Sequence, residues 1–362
     1  MPVLMRDVAT RAGVSITTVS HVLNETRPVA EETRERVLAA IRQLDYYKNT
    51  SARLLVRGES DLVGLIISDI ENPFFADLVK RFEQACRTKR LEILLCATNY
   101  DRSQAQNAVR RMLENRVRAV AVMTSQFDAE LQRQLTAKNV PLVVLGHTRA
   151  ERNRSSIEID WSAGIAAAVR HLHELGHRRI ALATGPLDQI SAMAHRDAVV
   201  GAIERLRGKP FRVIEGDHRP ESGAEAARLL LSAAERPSAI FCGNDRMAIG
   251  AIGAARDLGF RVPEDVSIVG SDDVWIARYS SPPLTTVRIP RDILGQMAFE
   301  VLLKMLHSKR RAGQRLIVKT ELVVRNSTAR LAEIPQVGRG MRRSKQISKR
   351  DLNEEPEIGF AG

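Results

Sequence analysis

Between residues 60 and 330 the chain alternates short apolar runs with longer helical stretches. Four runs come first, at 63–67, 92–96, 119–123 and 142–145; four more follow at 179–183, 212–214, 239–242 and 267–270. Each is apolar without strict alternation, the pattern of parallel strands buried on both faces. Two sets of four are too many for one comfortable sheet, so the pattern predicts two similar α/β lobes with a cleft between them. Punctuation agrees. Ser103 is expected to begin a helix ending near Asn115, and Gly176 and Gly259 to stop two others. Pro141, Pro237 and Pro263 each stand just before a strand run, where a helix has already ended. Residues 331–362 lose all periodicity and are expected to be disordered. Their basic residues (Arg342, Arg343, Lys345, Lys349, Arg350) read either as an arm for phosphate contacts or as a solvated tail without a role; the second reading is adopted.

Residues 5–24 carry the sharpest local signal. Val8 and Ala12 share one helical face, and Gly13 follows, as a tight turn between helices requires. Ser15 is placed to cap a second helix by accepting a free amide. Val19, Val22 and Leu23 give that helix an apolar face, and small Ala9 permits close approach. This is a helix-turn-helix pattern, in which the second helix enters the DNA major groove with its N-terminal residues at base edges. Ile16, Thr17 and His21 lie off the packing face and are the candidate base readers. Thr17 suits a base edge or a thymine methyl, and Ile16 only the methyl. Thr18, Ser20 and the helix N-terminus are candidate phosphate contacts; Ser15 and Asn24 complete the candidate set. A plain helical hairpin fits this window, by itself, about as well. Val37, Ile41 and Leu44 predict a third helix closing a small core. Residues 49–58, NTSARLLVRG, read as a helical stretch too short to be stable alone.

Length and composition narrow the class. The 362 residues correspond to two or three domains, at roughly 150 residues each. With 44% hydrophobic and 27% charged residues the composition is that of an ordinary soluble protein. No run approaches the ~18 apolar residues of a membrane span, and the N-terminus has no apolar core of the signal-peptide kind. Cys86, Cys96 and Cys242 are odd in number and widely spaced, which excludes a disulfide framework or a CxxC site and predicts a cytoplasmic setting. The net charge of +12 favours an anionic partner such as nucleic acid. Residues 1–58 hold nine basic and six acidic side chains, so bulk charge does not locate the binding face.

Taken in order, these segments resemble the lactose-repressor (LacI/GalR) family of bacterial transcription regulators. DVATRAGVSITTVSHVLN resembles its helix-turn-helix and NTSARLL its hinge helix; ENPFFADL, ELGHRRIAL, FCGNDRMAIGA, RVPEDVSIVGSDD, PPLTTVRIP and TELVVRNSTA resemble its body. The likeness spans 3–330. It implies an all-α helix-turn-helix domain at 1–48, a hinge helix at 49–58, and a two-lobed, periplasmic-binding-protein-like effector-binding and dimerisation domain at 59–330. It also implies a homodimer, with possible higher assembly, on a pseudo-palindromic double-stranded operator. The paired hinge helices would fold on DNA and open the minor groove with an apolar wedge at Leu55, and such a wedge kinks the duplex. The alternative is that Leu54 and Leu55 pack between subunits; the wedge is adopted for Leu55 and packing for Leu54. Two positions depart from the family. His21 replaces its usual arginine, which implies a different base preference, and Lys48 replaces its proline, which implies a less rigid hinge.

Phe74 and Phe75 follow the first strand run, at the carboxyl end where open α/β sheets bind ligands. They can stack on a sugar ring or a purine, or pad the lobe interface. The resemblance places Phe74, Ser125, Asp160, Asn244 and Asp272 at positions facing a small-molecule effector. Asp245 reads as a helix cap. The family's arginine on the helix after GPLD falls at His195, with Arg196 next door. His195 is favoured as the contact; if its ring is unperturbed it titrates near ~6.5, so that an acidic effector weakens as pH rises, whereas a contact from Arg196 is indifferent to that titration. His173-Glu174-Leu175-Gly176-His177 matches the HExxH zinc motif, but Gly176 is expected to end the helix and carry His177 off the shared face. No catalytic residue, metal or cofactor is expected, and nothing resembles a Walker A, GxGxxG or nucleophile-elbow sequence. The expected function is a ligand-controlled DNA-binding regulator, a repressor of sugar-use genes. The alternatives are a transport solute-binding protein, which needs an export signal and no helix-turn-helix, and a metallohydrolase resting on HELGH alone.

Overall fold

The structure, a computed structural model, describes residues 3–47, 60–124, 127–308 and 310–331. Lys48, Leu54, Leu55, Ser125, the expected hinge helix and the expected tail beyond Leu331 lie outside these residues.

Three helices come first: α1 (Met5–Ala12), α2 (Ile16–Asn24) and α3 (Glu31–Gln43). Gly13 takes φ +67°, a left-handed value that a side chain would strain, and so turns the chain from α1 to α2. Ser15 caps α2 as expected, its Oγ accepting from the Thr18 amide at 3.0 Å. Val8, Ala9, Ala12, Val19, Val22, Val37, Ala40 and Tyr46 are buried together, with Ile41 and Leu44 packed around them. This small core uses the apolar faces of all three helices.

The body follows as β1 (Leu62–Ile67), α4 (Pro73–Thr88), β2 (Glu92–Ala97), α5 (Arg102–Glu114), β3 (Val120–Met123), α6 (Ala129–Ala137), β4 (Leu142–Leu145) and β5 (Arg154–Asp160). Next come α7 (Ser162–Glu174), β6 (Ile180–Thr184), α8 (Ile190–Arg205), β7 (Val213–Glu215), α9 (Pro220–Leu231), β8 (Ala239–Cys242), α10 (Asp245–Asp257), β9 (Ser267–Asp272) and β10 (Thr285–Arg288). The last elements are α11 (Arg291–His307), β11 (Arg315–Lys319) and β12 (Glu321–Val323). They build two six-stranded sheets, ordered β2-β1-β3-β4-β5-β11 and β7-β6-β8-β9-β10-β12. All neighbours are parallel except the antiparallel pair β10 and β12. The two-lobe expectation holds, and all eight expected runs contribute strands. β5, β10, β11 and β12 were not expected. α5 begins one residue before Ser103, and its cap is Asp101, whose Oδ1 accepts from the Gln104 amide at 2.8 Å.

The chain passes between lobes three times: after β5 at Trp161, after β10 at Ile289–Pro290, and between β11 and β12 at Thr320. These crossings are laced together. Thr320 donates from both its amide and its hydroxyl to the Asp160 carbonyl, at 3.2 and 2.9 Å. On the other side of the lobes α11 returns to pack on α4, with Phe82 and Phe299 edge to face at 5.9 Å.

α9 and α10 approach backbone to backbone. A Cβ at Gly250 would lie 1.9 Å from the Pro220 carbonyl oxygen, whereas one at Gly253 would meet nothing within 4 Å. Gly250→Ala must therefore force the helices apart and lower stability by about 1–3 kcal/mol. Gly253→Ala should be neutral or stabilise by up to about 1 kcal/mol. Denaturant midpoints of the two variants check this; equal midpoints would show that the close approach is not constraining.

Candidate effector cleft and DNA-reading face

On α2, Val19 and Val22 are buried against α1 and α3, which leaves the opposite face outward. Ile16 is 52% exposed, and Thr17 is exposed beside it in the first turn. Ser20 and His21 are half-buried at the edge of the same face. His21 Nδ1 lies 2.7 Å from Thr26 Oγ1, so one ring nitrogen is engaged locally. Asn24 bonds back to the Ser20 carbonyl and hydroxyl, at 2.9 and 3.1 Å. The Ser15 and Thr18 hydroxyls lie 2.9 Å apart at the helix N-terminus, where free amides favour a phosphate.

Between the lobes lies a cavity of about 470 Å³. Phe74 and Phe75, the first residues after Pro73 on α4, both line it, edge to face at 5.0 Å. His195, Asn244 and Asp272 line it from the second lobe. Asp160 and Arg196 do not. The Asp160 carboxylate caps α7, accepting from the Ser162 amide at 2.9 Å and hydroxyl at 2.5 Å. Arg196 turns away from the inward stripe of α8 and pairs with Asp197 at 2.6 Å. Asn244 caps α10, its Oδ1 accepting from the Met247 amide, while Nδ2 donates to the His218 carbonyl.

His195 sits on that inward stripe with Ala192 and Val199. Its Nε2 lies 2.8 Å from Ser271 Oγ, and its ring stands edge-on to Trp161 at 4.9 Å. Burial, reinforced by nearby His218, drives its pKa down to about 3. The condition for titration near 6.5, an unperturbed ring, is not met: among the described residues no carboxylate is bonded to this ring to hold a proton, and desolvation keeps it neutral. His218 is likewise lowered to about 4, chiefly by burial.

Asp272 and Asp273 end β9 as neighbours with opposite fates. Asp273 is saturated, its carboxylate accepting from Arg288 at 2.7 Å and Arg325 at 2.5 Å. The Asp272 carboxylate faces the cavity with no hydrogen-bonding or ionic partner among the described residues. Its backbone has φ +107°, a strained value for a side-chain-bearing residue. Arg291 holds that strain in place, donating to the carbonyls of both Asp272 and Asp273 and to the Asp77 carboxylate of α4. Burial, then repulsion from Asp245, raise the Asp272 carboxyl well above the carboxylate range, with Arg291 opposing. The expectation that Asp245 caps the helix is corrected: Asn244 is the cap, and Asp245 is the first residue of α10 with its carboxylate turned to other elements. It is fully buried and accepts from the Val274 amide at 2.8 Å and the Thr286 hydroxyl at 2.5 Å, so it joins three strand ends.

The cleft mouth is bridged. Arg246 of the second lobe pairs with Asp69 of the first at 2.8 Å, both largely buried. Tyr100 and His218 face each other across the same gap, ring centres 5.9 Å apart. Tyr100, Trp161, His218, Gln189 and Ser191 line the cavity but were not singled out in the sequence. Tyr100 and Trp161 each follow the carboxyl end of a strand, the signal that could have found them. The second histidine of HELGH serves structure. Gly176 takes φ +94° just after α7, and His177 bonds Ser238 Oγ and the Ala329 carbonyl, each at 3.0 Å.

Helix-turn-helix, strand-end ligand cleft and paired lobes define a DNA-binding regulator with an effector domain. Residues 4–49 match the lacI family of bacterial regulatory proteins, and residues 169–328 a periplasmic binding protein-like domain. The chain belongs to the lacI family and is a sequence-specific DNA-binding transcriptional regulator, not an enzyme. It is 40% identical over 332 residues to the HTH-type transcriptional repressor PurR of Proteus mirabilis (strain HI4320), covering 90% of this chain and 96% of that one. PurR of Serratia proteamaculans (strain 568) gives the same identity and coverage. Among solved structures, the lac repressor dimer bound to operator and the anti-inducer ONPF aligns with a TM-score of 0.81 and 30% identity, over 91% of this chain and all of that one. The transcriptional regulator CelR–cellobiose complex aligns with a TM-score of 0.68 and 30% identity, over 90% and 99%.

Two predictions follow from the cleft. An unfolded His195 takes up a proton below about 6.5, whereas the folded ring resists until about 3, so this residue's stability contribution is lost as pH falls between those values. Relative to His195→Gln, the wild type should lose about 1.4 kcal/mol between pH 7.5 and 5.5; parallel stability profiles would show that the ring is not buried neutral. Removing either side of the mouth pair, by Asp69→Ala or Arg246→Ala, should open the lobes and raise the radius of gyration in small-angle scattering. The swapped double variant, Asp69→Arg with Arg246→Asp, should restore it. Singles as compact as wild type would refute the bridge.

Proposed function

We propose that this regulator is a repressor that binds a pseudo-palindromic operator as a homodimer and is controlled by a small molecule held between its lobes. The observation that carries this is the exposed first turn of α2, Ile16 and Thr17, opposite the face by which Val19 and Val22 pack into the three-helix core. The relatives named above are called repressors, and the aligned lac repressor is a dimer on its operator. An apolar surface for a second copy is present on the turn after β9, where Trp275 is 55% and Tyr279 73% exposed. The proposed readers are Ile16, Thr17 and His21, with Thr18, Ser20 and the helix N-terminus at phosphates, Ser15 and Asn24 completing the set, and Leu55 as the minor-groove wedge. Ligand contacts are assigned to Phe74, Phe75, His195, Asn244 and Asp272. Ser125 stays assigned by resemblance alone, and Asp160 and Arg196 are withdrawn to capping and surface roles.

The mechanism is a two-state body. An effector that binds one lobe arrangement more tightly shifts the population toward it, and the three crossings carry that shift to the DNA-binding modules. The regulator acts in the cytoplasm. A sugar is the effector class supported by the CelR–cellobiose likeness. The transport-protein alternative is disfavoured by the match of residues 4–49 to the lacI family.

Selection from a randomised DNA pool tests the reading. Wild type should enrich an inverted repeat with half-sites about one helical turn apart, roughly 34–36 Å. Thr17→Ala should change the enriched bases more than the affinity. No enriched sequence would sink the function, and an unchanged consensus would sink the assignment of Thr17.

A further inference from the structure

A second cavity, of about 440 Å³, lies at the amino ends of β3 and β4, the end of the first lobe away from the cleft. It forms where three helices stop. Met112 and Leu113 close α5, Leu306 closes α11, and Val117 and Val140 lead toward β3 and β4. These side chains give the cavity an apolar lining. Its charged lining is of one sign: Arg116, Lys138, Arg118 and Arg311, the first two exposed and the others half-buried. Among the described residues no acidic side chain lines it.

Helix ends explain part of this charge, because the last carbonyls of a helix carry partial negative charge and attract cations. Arg311 serves in that way, its Nη1 donating to the Asn139 carbonyl just past α6 at 2.8 Å. The rest is unspent. The side chains of Arg116 and Lys138, and the N–H groups of Arg311 beyond Nη1, bond no carboxylate or carbonyl among the described residues. The acids of the adjoining turns are taken, Glu114 by Arg110 at 3.9 Å and Glu151 by Arg154 at 3.0 Å. The backbone adds an independent sign. Arg116 follows the Asn115 cap of α5 at φ +48°, a position and conformation in which glycine is the favoured residue. A long cation is held there against its backbone preference, and its side chain is what the position gains.

We propose that this cavity binds a phosphate ester with an apolar body, at a site separate from the cleft. The apolar lining takes the body and the cations take the phosphate. Guanidinium forks match phosphate oxygens in pairs, and Lys138 adds a point charge. The volume falls within the roughly 300–1,000 Å³ of ligand pockets. The site adjoins the start of the body. Ser60 Oγ donates to the Arg116 carbonyl at 2.6 Å, and the Arg118 amide donates to the Leu62 carbonyl at 2.9 Å. The ligand therefore sits beside the point where the chain arrives from the DNA-reading module.

The test is calorimetric titration of the full-length protein with 1-naphthyl phosphate, and with 1-naphthol and inorganic phosphate as its two halves. The ester should bind roughly tenfold or more tightly than either half, and less tightly as salt is raised. Arg116→Gly should weaken it roughly tenfold, by removing a charge-assisted pair. The same variant should melt no lower than wild type, since glycine relieves the left-handed backbone, so the lost affinity is not lost fold. Adding Lys138→Gln should weaken the ester further. An ester that does not bind, or that binds no better than its halves, overturns the proposal, as does undiminished affinity in the double variant. Operator binding across a salt series separates the other source of phosphate. If the ester fails to bind while the double variant flattens the salt dependence of operator affinity, these cations serve the DNA backbone and the small-molecule site is refuted.

Discussion

The guanidinium of Arg291 joins what the cleft requires to be joined. It stands at the start of α11, just after the chain has crossed from the second lobe to the first. Two of its nitrogens hold the carbonyls of Asp272 and Asp273, and the third reaches Asp77 on α4. The strained backbone of Asp272 in one lobe and the helix carrying Phe74 and Phe75 in the other are thus tied to one planar group. A fork of fixed geometry suits this task better than a flexible ammonium, because several bonds form from one rigid unit. The unpartnered carboxylate and the aromatic wall owe their relative positions to it.

Around that tie, acidic residues of one chemical type take three roles according to their partners. Asp273 is neutralised by two arginines, Asp245 is buried on an amide and a hydroxyl, and Asp272 has only the cavity. Asp272, half-buried at the cavity wall, is therefore the acid of the three left open to a hydrogen-bond donor in the cavity. The bridge from Asp69 to Arg246 closes the opposite side of the mouth. A body built in this way can exchange between lobe arrangements by breaking a few polar contacts while each sheet stays intact. Small changes at the cleft then become changes in how the lobes are set.

Much of this was legible in the chain. The helix-turn-helix followed from Val8, Ala12, Gly13, Ser15, Val19 and Val22, because helical spacing, a left-handed turn and a cap are local requirements. The eight buried strands were legible because a strand covered on both faces must be apolar throughout. β5, β10, β11 and β12 were not. Their residues mix charged with apolar positions, as in RSSIEID and RLIVK, since they run toward the open edge of each sheet or into the crossings. Whether Arg315 pairs with β5 depends on a segment more than 150 residues earlier, and no local pattern contains that.

The site divides along the same line. Sequence by itself determined which helix could read DNA and where the strand ends that offer ligand contacts would fall. Those are properties of spacing and residue type, and they survive without knowing what lies opposite. Tertiary structure alone decided that Arg196 faces away, that Asp160 caps a helix, and that Tyr100 and His218 meet across the cleft. It also decided charge. His195 reads as a titrating imidazole until burial against Trp161 and Ser271 is seen to hold it neutral, and Asp272 and Asp273 are indistinguishable until their partners are placed. Ionisation and exposure are set by groups brought together from distant parts of the chain, because desolvation and Coulomb interaction depend on distance in space, and sequence order does not enter them.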